Sequence, residues 1–199
     1  KADRRSSALL GSEPGPVFIY VGLLGFAQGL DQVLDLAKSI PADTPGRFVL
    51  VGDGPVRDRL QQRISSESIS RVRLIGVQPR ERVPALLAAA DAAIIPLGFS
   101  IPGAVPSKIY EAMASAIPVL LIADGEPVRR LQAAGAGLAA PPEDCTTLRE
   151  AFRHLACSAS LRERYGASGR RSAETTYNRD VLAQRLDRFL RSVLPALTK

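Results

Sequence analysis

Short apolar runs without polar alternation recur along this chain, each followed by a segment of helical periodicity. That rhythm constrains the fold more than any other feature. Val17-Phe18-Ile19-Tyr20-Val21, Phe48-Val49-Leu50-Val51, Val72-Arg73-Leu74-Ile75, Ala92-Ala93-Ile94-Ile95 (ending at Pro96), Val119 to Ile122 and Gly137-Leu138-Ala139 read as strands. Between them, Leu30 to Ile40, about Val56 to Ile64, Val83 to Ala90, Ser107 to Ser115 and Val128 to Ala134 read as helices. Strands that are apolar on both faces and separated by helices require a parallel sheet covered on both sides. From Thr146 onward the pattern is helical only, and Val181, Leu182, Leu186, Phe189, Leu190 and Val193 form the stripe of a last helix. The expected fold is a doubly wound, Rossmann-like α/β domain of about six strands with a helical C-terminal tail.

Residues 1–16 are polar and punctuated by Gly11, Pro14, Gly15 and Pro16, so a linker is expected there. The same stretch lacks the apolar core of a signal peptide. No apolar run reaches the roughly 18–20 residues of a membrane span. Two cysteines, Cys145 and Cys157, form no disulfide framework, and both are expected to be buried or incidental. His154, the sole histidine, sits three residues before Cys157 without further ligands nearby, so no metal site is expected. Reduced thiols fit a cytoplasmic setting. The net charge of +6 comes with a dense run of arginines from Arg149 to Arg191. Such a balance suits phosphorylated ligands or an acidic surface. Nucleic acid is not expected, because few aromatics interleave the basic residues.

The most telling chemistry lies in Pro106-Ser107-Lys108-Ile109-Tyr110-Glu111-Ala112-Met113-Ala114. A lysine in the first turn opposes the helix dipole unless an anion sits there to be shared by ammonium and free amides. Glu111 lies one turn deeper on the same face. A cationic phosphate clamp beside a carboxylate suits a nucleotide diphosphate and its ribose; a solvated i,i+3 ion pair is the bland reading. Sites in doubly wound folds lie beyond the carboxyl ends of the strands. Gly22 to Gly29, Gly52-Asp53-Gly54-Pro55, Gly76-Val77-Gln78-Pro79 and Pro96 to Pro106 all fall there. Asp124, Glu126 and Arg129 follow the fifth strand and line either the cleft or an ordinary helix start. Neither G-x-G-x-x-G, a P-loop, nor G-x-S-x-G occurs.

The ordered series Tyr20-Val21-Gly22…Gly25…Gln28-Gly29-Leu30, Leu50-Val51-Gly52-Asp53-Gly54-Pro55, Leu74-Ile75-Gly76-Val77, Ala90-Asp91-Ala92…Pro96 and Pro106-Ser107-Lys108…Glu111-Ala112-Met113-Ala114…Pro118-Val119 resembles a known family. It is similar to the C-terminal, donor-binding half of retaining glycosyltransferases with two Rossmann-like domains, the GT-B architecture of the family four type. Bacterial enzymes of surface polysaccharide or lipopolysaccharide synthesis are the nearest in pattern.

The resemblance implies a nucleotide-sugar donor, UDP-linked, with no further cofactor and no metal. It implies that Lys108 contacts the diphosphate and Glu111 the ribose, as the catalytic pair. Gly22, Gly25, Gln28, Gly52, Asp53, Gly54, Gly103, Ala104, Val105 and Ser107 would line the donor site. The backbone of Val77 would meet the base, with Arg80 or Arg82 nearby. Gln28 stands where many relatives carry lysine, Leu23 or Leu24 where they carry arginine, and Gly103 where they carry a second glutamate.

By the same resemblance, residues 1–16 link to an N-terminal acceptor domain that this chain lacks, 17–178 bind the donor, and 179–195 pack back towards the partner domain. The acceptor would be a glycan or lipid-linked, and the parent enzyme cytoplasmic or peripheral at the inner face of the cytoplasmic membrane. For the last helix, docking within the molecule is expected over an interfacial role. Two alternatives remain from the residues: a sugar-nucleotide epimerase-like Rossmann domain, and a non-catalytic nucleotide-binding or interaction module.

Overall fold

The computed structural model describes residues 8–11, 13–99 and 101–197. Six parallel strands, β1 (Val17–Val21), β2 (Arg47–Val51), β3 (Val72–Ile75), β4 (Ala92–Pro96), β5 (Val119–Ile122) and β6 (Gly137–Ala140), form one sheet in the order β3-β2-β1-β4-β5-β6. Helices α1 (Asp31–Ser39), α2 (Arg57–Ser66), α3 (Val83–Ala89), α4 (Ser107–Ala114) and α5 (Glu126–Ala134) connect them, and α6 (Cys145–Cys157), α7 (Ala159–Thr175) and α8 (Arg179–Leu197) follow. The expected fold class is the observed one.

Because strand side chains alternate, each apolar run serves two cores. Phe18, Tyr20, Phe48, Leu50, Ile94 and Leu120 face α1, α2 and α6, whereas Ile19, Val49, Val51, Ile95 and Leu121 face α3, α4 and α5. On the first face Phe18, Phe48 and Phe152 form a three-ring cluster with centroids 4.6–5.7 Å apart.

Several boundaries differ from the expected ones for local reasons. Helix α5 starts two residues early, because Gly125 (φ 72°) turns the chain and Pro127 fits a first helical turn. The helical tail breaks at Ser158, whose hydroxyl accepts from the Leu161 N–H at 3.2 Å and so starts α7 afresh. Residues 1–7 and 12 of the expected linker lie outside the described residues. The remainder is held against the sheet. Ala8–Leu10 form a 3-10 turn, Leu10 is buried in the second core, and the Arg47 guanidinium donates to the carbonyls of Leu10, Gly11, Glu13 and Gly15.

The cysteines, expected buried or incidental, are both exposed. Helix α6 buries Leu148, Ala151, Phe152, Leu155 and Ala156; Cys157 lies opposite that stripe and Cys145 precedes its first member. Nor does α8 dock on the domain that precedes it. Leu186 and Phe189 are 57% and 60% exposed, and Leu182, Leu190 and Leu194 are exposed with them. No described helix is long and apolar enough to cross a membrane.

An ionic network ties α1 to α2. Arg63 donates to Asp31 (3.2 Å), Asp35 and Glu67 (2.8 Å), while Lys38 reaches Glu67 at 2.6 Å. The hydrogen bonds from Arg63, and then Lys38, hold the Glu67 carboxyl below its ordinary range. A depressed carboxyl stabilises the fold above its unfolded value, and that contribution disappears as the pH falls through the folded value. Glu67→Gln is therefore expected to lower the melting temperature slightly at neutral pH. The difference from the parent chain should shrink as the pH falls below the ordinary carboxylate range and through the depressed folded value. Thermal melts across that range check this; a gap that persists in acid contradicts it.

Candidate functional site

The strand order reverses between β1 and β4, so their carboxyl ends open the crevice in which ligands of such sheets bind. Two loops flank it: residues 22–30 after β1, and 97–99 and 101–106 after β4. They are joined below the rim. The Gly98 N–H donates to the Ala27 carbonyl at 2.9 Å, and Gln32 Nε2 donates to the carbonyls of Leu97 (3.0 Å) and Gly29 (3.3 Å).

Helix α4 begins beyond Pro106 without a side-chain cap; the Ile109 N–H donates to the Pro106 carbonyl at 3.2 Å, and the amides of Ser107 and Lys108 lead the first turn. Lys108 extends from that turn across the end of β1. A methyl group added at Gly22 (φ 149°) would lie 2.5 Å from Lys108 Cε and 3.0 Å from Nζ, so the lysine occupies the space that glycine leaves. Its ammonium lies 5.4 Å from the centroid of the Tyr20 ring, and the Tyr20 hydroxyl donates to the Leu23 carbonyl at 2.6 Å. Burial pushes the Tyr20 phenol well above its ordinary range, so it remains a neutral donor.

Glu111 is exposed one turn along and does not pair with Lys108. Its Oε1 accepts from the Ser107 hydroxyl at 3.0 Å. The bland i,i+3 ion pair is thus not formed. Among the described residues Lys108 has no carboxylate within 4 Å, which leaves its charge available to a ligand.

The other expected residues divide by position. Ser107, Ala104, Gly103 (φ 77°, with open space around it) and the half-buried Val105 line the approach to α4. Val77 is 69% exposed after β3, and Arg80 and Arg82 belong to an exposed 3-10 turn beside it. Gly52, Asp53 and Gly54 brace the first loop. A methyl on Gly52 would lie 1.9 Å from the Gly22 carbonyl oxygen, and one on Gly54 2.4 Å from that of Leu24. Leu24 also donates to the Asp53 carbonyl at 2.8 Å.

Gly25 is buried at the start of the Phe26–Gln28 turn. Gln28 folds back over that turn, and its carboxamide oxygen is buried near Gly25. Glu126 pairs with Arg129 (2.8 Å) and Arg130 (2.6 Å), the ordinary chemistry of a helix start; these two arginines hold its carboxyl below the usual range.

Residues 3–172 match the family described as glycosyl transferases group 1. The chain belongs to that family. An α-D-kanosaminyltransferase of Streptomyces kanamyceticus is 27% identical over 157 residues, which cover 77% of this chain and 40% of that enzyme. A sucrose-phosphate synthase structure from Thermosynechococcus elongatus superposes with a TM-score of 0.81 at 24% identity, covering 98% of this chain and 49% of the synthase. The Anabaena HepE structure in complex with UDP superposes with a TM-score of 0.76 at 20% identity, covering 95% and 51%. The chain therefore spans about half, or less, of the length of these relatives.

In this glycosyltransferase domain, two side chains at the crevice were not legible as site residues. Tyr20 reads as one more apolar strand residue, although its hydroxyl at the carboxyl end of β1 was a usable signal. Gln32 reads as surface helix, yet it fastens the root of the loop that leads to Lys108.

Proposed function

We propose that this chain is the nucleotide-sugar-binding half of a retaining glycosyltransferase. One observation carries the reading. At the β1/β4 switch point the Lys108 ammonium, with no carboxylate partner among the described residues, lies over Gly22 from the uncapped first turn of α4, with the exposed carboxylate of Glu111 one turn away. Lys108 and the α4 amides hold the diphosphate, Glu111 accepts from the ribose hydroxyls, and the exposed Val77 loop meets the base. The HepE complex makes UDP the nucleotide to test first.

As the bond to the leaving group lengthens, negative charge gathers on the diphosphate while the anomeric carbon becomes oxocarbenium-like. Lys108 is placed where that charge develops, and there an electrostatic contact accelerates the step. Acceptor recognition belongs to a second domain, in keeping with the share of its relatives that this chain spans. The uncovered apolar face of α8 is the surface for that domain. Transfer to a glycan or lipid-linked acceptor in surface polysaccharide synthesis, on the cytoplasmic side of the membrane, rests on the sequence resemblance.

Calorimetric titration with UDP tests the site. Lys108→Ala is expected to weaken binding about tenfold or more, as for loss of a charge-assisted contact worth roughly 1.5–3 kcal/mol. Glu111→Ala should weaken UDP but not inorganic pyrophosphate. Unchanged UDP affinity in both variants would refute the assignment.

A further inference from the structure

We infer that Tyr20 positions the phosphate-binding lysine and the first loop as a single unit, and so sets how tightly the site holds a nucleotide's phosphates. The inference rests on the nucleotide reading of Lys108. Tyr20 is 1% exposed, in the penultimate position of β1, so its ring cannot turn away without opening the core. One face of the ring receives the Lys108 ammonium at 5.4 Å, within the reach of about 6 Å for a cation–π contact. Its hydroxyl fixes the carbonyl of Leu23, in the loop that opposes Lys108 across the crevice. The missing side chain at Gly22 lets the lysine pass over the strand end to reach that ring.

A free lysine side chain loses rotamer freedom when it is ordered on a ligand. A ring that already holds the ammonium beside the loop removes part of that loss before the nucleotide arrives. Ring and hydroxyl thus do separable work: the ring orders Lys108, and the hydroxyl orders residues 22–25. An ordinary core tyrosine would contribute packing alone, and its replacement would weaken all ligands equally.

The test is a double-mutant cycle on this chain, read by calorimetry with UDP and with uridine. Tyr20→Leu is expected to weaken UDP roughly three- to tenfold while leaving uridine nearly unchanged. Added to Lys108→Ala it should weaken UDP by much less than in the parent chain, only by what the hydroxyl's hold on residues 22–25 contributes. Tyr20→Phe keeps the ring and should retain its coupling to Lys108. In proton NMR, the Lys108 ε-methylene should be shifted upfield by the ring in the parent chain and in Tyr20→Phe. That last observation needs no variant that fails to fold.

An unshifted ε-methylene in the parent chain, losses that add in the double variant, or equal losses for UDP and uridine each overturn the positioning role while leaving the nucleotide site standing. Unchanged UDP binding in Lys108→Ala overturns the phosphate role of Lys108 and the inference with it; unchanged binding in Glu111→Ala as well overturns the nucleotide reading itself.

Discussion

Gly52→Ala is expected to be among the most damaging single-methyl additions to this chain, and to cost ligand binding as well as stability. The added carbon would lie 1.9 Å from the Gly22 carbonyl oxygen, far inside contact distance, at a backbone angle (φ 147°) that residues with a side chain rarely adopt. Neither neighbour yields easily. The Gly22 N–H is bonded to the Val51 carbonyl and the Gly52 N–H to that of Ile75, both at 2.9 Å, so the two strand ends are locked in register. Backbone strain and overpacking together should cost at least about 3 kcal/mol. That corresponds to a drop of roughly 6–12 °C in melting temperature for a chain of this size. Because Lys108 lies over Gly22, displacement of that peptide should also weaken UDP. Gly76→Ala is the control: a methyl there meets nothing within 4 Å, and its cost should stay within about 0.5 kcal/mol. Equal melting temperatures for the two variants would contradict the close loop packing.

The same glycines show where reading the sequence stops short. Their position after successive strands suggested backbone approach to a ligand. In the folded chain Gly52 and Gly54 admit the backbone of the neighbouring loop, Gly22 admits the Lys108 side chain, and Gly103 has open space around it. Periodicity cannot separate these cases, since both need a bare backbone at the same sheet edge.

Lys108 was legible because a cation in the first turn of a helix contradicts the dipole and so asks for a partner. Tyr20 contradicts nothing, as buried aromatics are ordinary in strands. The six strands were legible for a related reason: burial on both faces leaves β1, β4 and β5 without charged residues and confines the charge of β2 to Arg47 at its first position. Helix α8 carries an equally clear apolar stripe, but a stripe states only that something covers it. In the folded chain its large apolar side chains stay exposed, so the stripe alone did not say what they pack against.

At the opposite edge of the sheet, Asp91→Ala should destabilise the chain by roughly 3–5 kcal/mol, the usual cost of removing one member of a buried ion pair. Asp91 is the charged group sunk at the start of β4, its side chain 3% exposed. Its Oδ2 accepts from the Val17 N–H at 2.9 Å, and its Oδ1 lies 3.6 Å from Nε of Arg162, whose side chain is 14% exposed. Arg162 in turn donates to the carbonyls of Leu155 (2.6 Å) and Ala156 (3.0 Å) at the end of α6.

The pair therefore joins the first residue of β1 to the α6–α7 corner, which no apolar contact could do with the same directionality. Removing the carboxylate deprives a largely buried guanidinium of its counter-charge and leaves the Val17 amide without its acceptor. Replacing both side chains removes the uncompensated charge as well, so Asp91→Leu with Arg162→Leu should be less damaging than Asp91→Ala alone. Chemical denaturation of the single and double variants measures the coupling directly. If the double variant loses as much as the sum of its singles, the two groups act independently and the corner is held by packing instead.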